Sequence, residues 1–245
     1  MNLKKKIIFC KISFFQLNYN QIKKKIEKGG LLVIPSGPGL STIETDKNYY
    51  KALRNADIAL LDSGYFCLLL KLFKFISVKK FSGYKFVSYF LKDKSMLKKK
   101  ILFIEPNEKS TLKNKQLLKN LKFTNTHHYV SPIYDRYNIK DVKLMNLIKK
   151  LKPKYVIINL GGNVQEVLGY YLKKNLKNKF SIICSGAAIS FINKTQAPIN
   201  NFYDKIHLGW LIRIIFNPNV FFLRYLKAFK LFFLVFTNKI ILKKF

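Results

Sequence analysis

Within residues 155–191 two short apolar blocks flank a helical repeat. The first block covers 155–160 and ends in Gly161-Gly162. Val164, Val167, Leu168, Tyr171 and Leu172 follow at three- and four-residue spacing, which predicts a helix. The second block covers 181–184 and ends in Ser185-Gly186-Ala187-Ala188. Neither block alternates apolar with polar, so both predict strands buried on two faces, the strands of a βαβ unit. Ligands of open α/β sheets bind beyond the carboxyl ends of the strands, where both small-residue turns and the pair Gln165-Glu166 fall. Two readings stay open. A polar pair just inside a helix can face a ligand with the helix's positive end behind it. Equally, the glycines only let helix pack on strand, and the pair caps the first turn.

The same patterns, read from the amino end, predict strands at 7–13, 31–34, 57–61, 101–105 and 128–131. Helices are predicted at 20–28, 41–55, 65–75, 82–91, 109–121 and 141–151. Gly29-Gly30 stops the first of these helices, and Pro35-Ser36-Gly37-Pro38-Gly39 reads as a loop over the sheet edge. Strands alternating with helices imply an α/β fold, a Rossmann-like, mostly parallel sheet with helices on both faces. After about residue 201 the pattern becomes helical, aromatic and basic, so the expected division is an α/β domain over 1–201 and a helical appendage over 202–245. No stretch reaches about 18 uncharged apolar residues, and a spanning helix is not expected. The first fifteen residues resemble a signal peptide, but Lys11 interrupts the apolar run and no small-residue cleavage site follows. They read as a first β element.

Composition changes this picture less than it first suggests. The 245 residues are 49% hydrophobic, enough for a sizeable core. Net charge is +34 with 12 acidic residues, a balance that invites a nucleic-acid partner. Lysine carries nearly all of it, arginine occurring only at Arg54, Arg136, Arg213 and Arg224. Lys, Asn, Ile, Phe and Tyr are all abundant and share A/T-rich codons, so a biased genome produces this surface without a nucleic-acid partner, and none is expected. What survives is a surface attractive to phosphate-bearing substrates and anionic lipid. Cys10, Cys67 and Cys184 are scattered in apolar settings and read as buried thiols of a reducing cytosol.

With so few carboxylates, position is informative. Asp62 and Glu105 close predicted buried strands and Glu166 follows a third. Ser63 and Gly64 beside Asp62 admit a close substrate, so Asp62 is either a general base or a cap on the next helix. His127 and His128 are adjacent and point to opposite faces of a strand, and no Cys/His cluster has ligand spacing, so no metal is expected. There is no G-x-S-x-G, the glycines of GGNVQEVLG are not a dinucleotide fingerprint, and no Walker loop is present; no cofactor is expected.

Five segments in order resemble the WecG/TagA/CpsF glycosyltransferases, from about residue 31 to 226. Ile34-Pro35-Ser36 corresponds to a Thr-Pro-Asn-type turn and residues 56–63 to Ala-Asp-x-x-x-x-Asp-Gly. Residues 161–166 correspond to Gly-x-Pro-x-Gln-Glu and 186–191 to Gly-x-x-x-x-Phe. Residues 208–213, Pro218 and Arg224-Tyr225-Leu226 correspond to the tail, Leu-Glu-Trp-x-x-Arg, Pro and Arg-Tyr-Leu. Ser63, Ser36, Ile34, Asn163, Ser190 and Val220 depart from the family's pattern, and Asp-Ser-Gly with Gly-Gly-x-x-Gln-Glu looks like a divergent branch.

The resemblance implies an inverting, metal-independent transfer of a sugar from a UDP-sugar donor, typically UDP-N-acetylmannosamine, to a polyprenyl-diphosphate-linked acceptor for cell-surface polysaccharide. It implies Asp62 as base, Arg213 and Arg224 on the diphosphate, Gln165 orienting sugar or phosphate, and Tyr134 stacked on uracil. Ser36, Ser63, Gly64, Gly161, Gly162, Glu166 and Gly186 complete the expected substrate site.

In the tail, Phe222, Leu226, Phe229, Phe233 and Phe236 form one helical stripe, continuing to Ile240, with Arg224, Lys227 and Lys230 on a neighbouring face. Asn217-Pro218 divides this helix from an earlier one carrying Trp210 and Arg213. Such a helix suits an anionic membrane surface, with Lys239, Lys243 and Lys244 at the headgroups, which puts the protein in the cytoplasm, peripheral on the inner face of the cell membrane. The other reading of the stripe is a helix packed on the α/β domain. Two further classes remain: a non-catalytic basic membrane-surface or nucleic-acid-binding protein, and a degenerate transferase kept as a scaffold. The oligomeric state, a homo-oligomer included, stays open.

Overall fold

Val156 and Ile158 join the hydrophobic cluster on one face of the central sheet, Tyr155 and Ile157 the cluster on the other, and all four are buried. The structure, a computed structural model, describes residues 5–176, 179–193 and 209–244, with the backbone only at 209 and 210. Its strands are β1 (Lys5–Phe9), β2 (Ile12–Gln16), β3 (Gly30–Val33), β4 (Ile58–Leu60), β5 (Ile101–Glu105), β6 (Thr126–Val130), β7 (Tyr155–Ile158), β8 (Ser181–Cys184) and β9 (Ile240–Lys244). They form one sheet in the order β6-β5-β7-β8-β3-β4-β2-β1-β9. Every pairing from β6 to β2 is parallel, and β1 lies antiparallel to both β2 and β9. The α/β reading holds.

Helices cover both faces, as two-sided strands demand. One layer holds α3 (Lys47–Arg54), α4 (Gly64–Lys74), α7 (Val142–Leu151) and α8 (Val164–Asn175), whose Leu53, Phe66, Leu144 and Leu168 are buried in the first cluster. The other layer holds α1 (Tyr19–Ile26), α5 (Gly83–Lys92), α6 (Glu108–Asn120) and α9 (Ala188–Ile192), through Ile22, Phe86, Leu118 and Ile189. A short turn of helix, α2 (Gly37–Leu40), stands where a loop is predicted, because Ser36 caps it and Pro38 sits at its tolerated first turn. The predicted helix over 41–55 is shorter, starting at Lys47 on its cap Asp46.

Two readings are corrected. The single strand expected at 7–13 is a hairpin, β1 and β2, turning at Cys10 and Lys11, both with positive φ (46° and 60°). Buried Ile7 and Phe9, then Ile12 and Phe14, alternate within each arm and skip a step between them, which is the two-residue turn. The tail comprises α10 (Gly209–Phe216), α11 (Pro218–Lys227), α12 (Lys230–Thr237) and then β9. The apolar stripe therefore does not run on as helix to Ile240: the chain extends there and pairs with β1, Ile240 opposite Phe9. Leu231, Leu234 and Val235 of α12 are buried in the main core, so the described tail shares the α/β body's packing. Among the described residues no helix is long and apolar enough to cross a membrane. Cys67 and Cys184 are buried and Cys10 half-buried; burial pushes the Cys10 thiol up to about 11 and the Cys67 thiol to about 12.

Candidate active site

Four Ser-Gly steps close four turns at one end of the sheet: Ser36-Gly37 after β3, Ser63-Gly64 after β4, Ser82-Gly83 before α5 and Ser185-Gly186 after β8. Three of them start helices. Ser36 Oγ accepts from Gly39 N–H (3.4 Å), Ser63 Oγ from Phe66 N–H (3.1 Å) and Ser82 Oγ from Lys85 N–H (3.1 Å), the ordinary helix-capping arrangement. Gly37 is small because it must be: a Cβ there would stand 2.8 Å from Ser63 Oγ. Seven of these eight residues line a cavity of about 510 Å³ over the carboxyl ends of the strands.

Asp62 stands in that cavity, half-buried. Its carboxylate does not cap α4, since Ser63 does. It accepts instead from Gly83 N–H at the start of α5 (3.0 Å), which holds it between two helix N-termini. Lys80 lines the same cavity, as do Tyr84 and Phe191. The roof comes from the tail: Arg213 of α10, Phe222, Tyr225 and Leu226 of α11, and Phe229. Arg213 lies 4.6 Å over the Phe191 ring and donates to Tyr225 Oη (3.3 Å), while its buried Nε–H meets no acceptor among the described residues. A guanidinium held over an aromatic ring is suited to an anion.

The remaining predicted positions fall outside this cavity. Gln165 and Glu166 are buried and committed to the loop beneath it. Gln165 accepts from Gly186 N–H (2.7 Å) and donates to Glu166 Oε1 (3.0 Å), and Glu166 accepts from Asn163 N–H (2.8 Å). They tie the β7 and β8 turns together. Burial raises the Glu166 carboxyl to about 7 against the lowering pull of those bonds and of Arg224. Gly161 is exposed with nothing near it, and Gly162 sits beneath Arg224, whose Nη2 would stand 3.2 Å from a Cβ there. Ser36 Oγ is 3.8 Å from the same point, so Arg224 rests on the cavity's rim. Asn163 adopts φ +72°, a value closed to proline, and donates to Thr42 (2.9 Å) and Asp46 (3.3 Å). Tyr134 is not brought in: its hydroxyl donates to Asp141 (2.6 Å), which also receives Tyr129 (2.8 Å).

Glu105, the other strand-closing carboxylate, is wholly buried and receives Asn114 (3.0 and 2.9 Å) and Asn159 (3.1 Å). Lys80 and the repeated Ser-Gly step are site features that sequence reasoning missed. The repetition was the signal; Lys80 is one lysine among many. The backbone of α10 includes Trp210, and His207 and Leu208 lie outside the described residues. Among the described residues no group of three or more His, Cys, Asp and Glu is placed to hold a metal. Residues 7–244 match the model of the Glycosyl transferase WecG/TagA/CpsF family. No curated protein matches the chain.

Proposed function

The chain belongs to the WecG/TagA/CpsF family of glycosyl transferases, and from that premise we propose an inverting, metal-independent transfer from a UDP-sugar to a polyprenyl-diphosphate-linked saccharide at the inner face of the cell membrane. The observation that carries it is one carboxylate, Asp62, in a strand-end cavity with cations Lys80 and Arg213 and an apolar roof. The acceptor hydroxyl attacks the anomeric carbon from the face opposite the diphosphate. Asp62 takes the hydroxyl proton as the new C–O bond forms and the C–O bond to the diphosphate breaks. Charge gathering on the leaving diphosphate is met by Arg213 and Lys80 from inside and by Arg224 from the rim over Gly162. Phe222, Leu226 and Phe229 give the cavity an apolar wall on the tail side, fit for the lipid end of the acceptor. The donor sugar resembles N-acetylmannosamine in this reading, and the product serves cell-surface polysaccharide. Incubation with a panel of UDP-sugars and a lipid-diphosphate saccharide, reading UDP release with and without chelator, tests it. Release from one donor, undiminished by chelator, is expected; no release from any donor, or release lost to chelator, sinks it.

A further inference from the structure

The four serines of the cavity do not present the same hydrogen-bonding face. Ser36 and Ser63 spend a lone pair on a backbone N–H, which leaves their protons for a ligand. Ser185 caps nothing, and its hydroxyl donates to Asn159 Oδ1 (3.0 Å).

What fixes that direction lies one layer deeper. Asn159 Nδ2 donates to Glu105 Oε2 (3.1 Å), and Asn114 Nδ2 donates to both Glu105 oxygens (3.0 and 2.9 Å). His128 Nδ1, on a ring stacked against Phe103, stands 3.4 Å from Oε1. A carboxylate offered amide donors on every side acts as an acceptor. Asn159 therefore turns its NH2 to Glu105, because the flipped amide would set oxygen against oxygen in a buried site. Its own oxygen is left for Ser185, and the single Ser185 proton is spent inward. Lone pairs are then all that the Ser185 hydroxyl can offer the cavity this residue lines.

We propose that Ser185 is a specificity-determining residue, an obligate acceptor that selects an N–H or O–H donor on the bound sugar nucleotide, with Glu105 and Asn159 as positioning residues. The inference rests on the sugar-nucleotide reading above. Two groups of such a ligand supply that chemistry: the imide N–H of uracil, or a hydroxyl or amide N–H of the sugar. A ligand with its donor blocked sets a fluorine or a methyl group against that lone pair and leaves it unmatched, which costs binding roughly 10- to 100-fold.

The test uses the full chain as wild type, Ser185→Ala, Asn159→Leu and Glu105→Gln, each checked for an intact circular dichroism spectrum. Calorimetry gives Kd for the tightest-binding member of a UDP-hexose and UDP-N-acetylhexosamine panel. It is repeated with that ligand's N3-methyluracil analogue and its deoxyfluoro-sugar analogues. Wild type should reject one analogue about 10- to 100-fold, and which one it rejects says whether base or sugar meets Ser185. Ser185→Ala should bind that analogue and the parent alike. Asn159→Leu frees the Ser185 hydroxyl to rotate and should shrink the penalty, as should Glu105→Gln, which lets the Asn159 amide flip. A Ser185→Ala protein that keeps the wild-type penalty overturns the inference while leaving the sugar-nucleotide reading intact. Full penalties in both Asn159→Leu and Glu105→Gln overturn the positioning roles. Wild type that binds no UDP-sugar overturns the site reading and this inference together.

Discussion

Asp62 accepts from Gly83 N–H and lines the cavity, the position from which a general base reaches a bound hydroxyl. Asp62→Asn preserves its shape and removes its basicity. Turnover should fall roughly 10²- to 10⁴-fold with the melting temperature little changed, and near-normal turnover would show that Asp62 is not the base. Glu166 makes the opposite case, a carboxylate wholly buried among its own hydrogen-bond partners. Its folded value of about 7 lies above the unfolded value of 4.5, so between those limits the folded state holds a proton that the unfolded chain has lost. Stability therefore falls as pH rises through that window and is level on either side, by at most about 3 kcal/mol for this one group. Urea unfolding at pH 4.5 and pH 7.5 should show the difference shrinking in Glu166→Gln; an unchanged difference would refute the burial argument. Of these two residues the sequence revealed the strand-end position and nothing of the environment. The same placement rule put Glu105 and Glu166 beside Asp62, and only their partners separate them: Asn114 and Asn159, brought to Glu105 by the fold, and the Asn163 N–H that Glu166 caps.

Glycines in the βαβ unit carry two different jobs, and element packing tells them apart. Gly169 lies on the face of α8 toward the sheet, where an added Cβ would stand 2.8 Å from Leu31 Cδ1 and 2.9 Å from Cys184 Sγ. Alanine is the better helix former by about 1 kcal/mol, yet overpacking costs about 1–3 kcal/mol. Gly169→Ala should therefore lower stability by up to about 2 kcal/mol in denaturant unfolding, and a stabilised variant would mean α8 can step away from the sheet. Gly161 and Gly162 have no such neighbour: one is open and the other lies under Arg224. Periodicity made α8 and its flanking strands legible, because a 3.6-residue repeat between two unbroken apolar blocks admits little else. It did not reveal the hairpin at Cys10-Lys11, which lacks the Asn or Gly that ordinarily marks positive φ. Nor did it reveal β9, since Ile-Ile-Leu-Lys-Lys becomes a strand by finding the free edge of β1.

On the scale of the whole molecule the tail has two faces, and they divide the labour. Leu231, Leu234 and Val235 are buried in the main core, whereas Phe233 and Phe236 of α12 are 65% and 62% exposed. On α4, against which α12 packs through Phe73 and Phe232 at 5.1 Å, Leu72 is 55% exposed, and Phe75, the residue that caps the helix's end, is 91% exposed. Exposed apolar side chains so close together mark an interaction surface, and Lys71 and Lys74 of α4, Lys230 of α12 and Lys227 at the end of α11 give it the charge for anionic headgroups. The α4 contribution was hidden in the sequence, because a helix apolar on most sides does not show which of its residues face outward. Removing 202–245 outright would take core side chains and a strand with it, so the sharper test of membrane contact changes only exposed residues. Leu72→Ser, Phe233→Ser and Phe236→Ser together leave the core untouched. Each apolar side chain contributes about 1.5–3 kcal/mol when fully buried, so even partial insertion of three makes at least a ~100-fold loss of partitioning onto anionic vesicles the expected outcome. The cations should make the wild-type partitioning weaken with salt. Sedimentation with vesicles, beside UDP release from a water-soluble acceptor analogue, separates lost docking from lost chemistry. A triple variant that still sediments like wild type would leave this face without a role at the membrane.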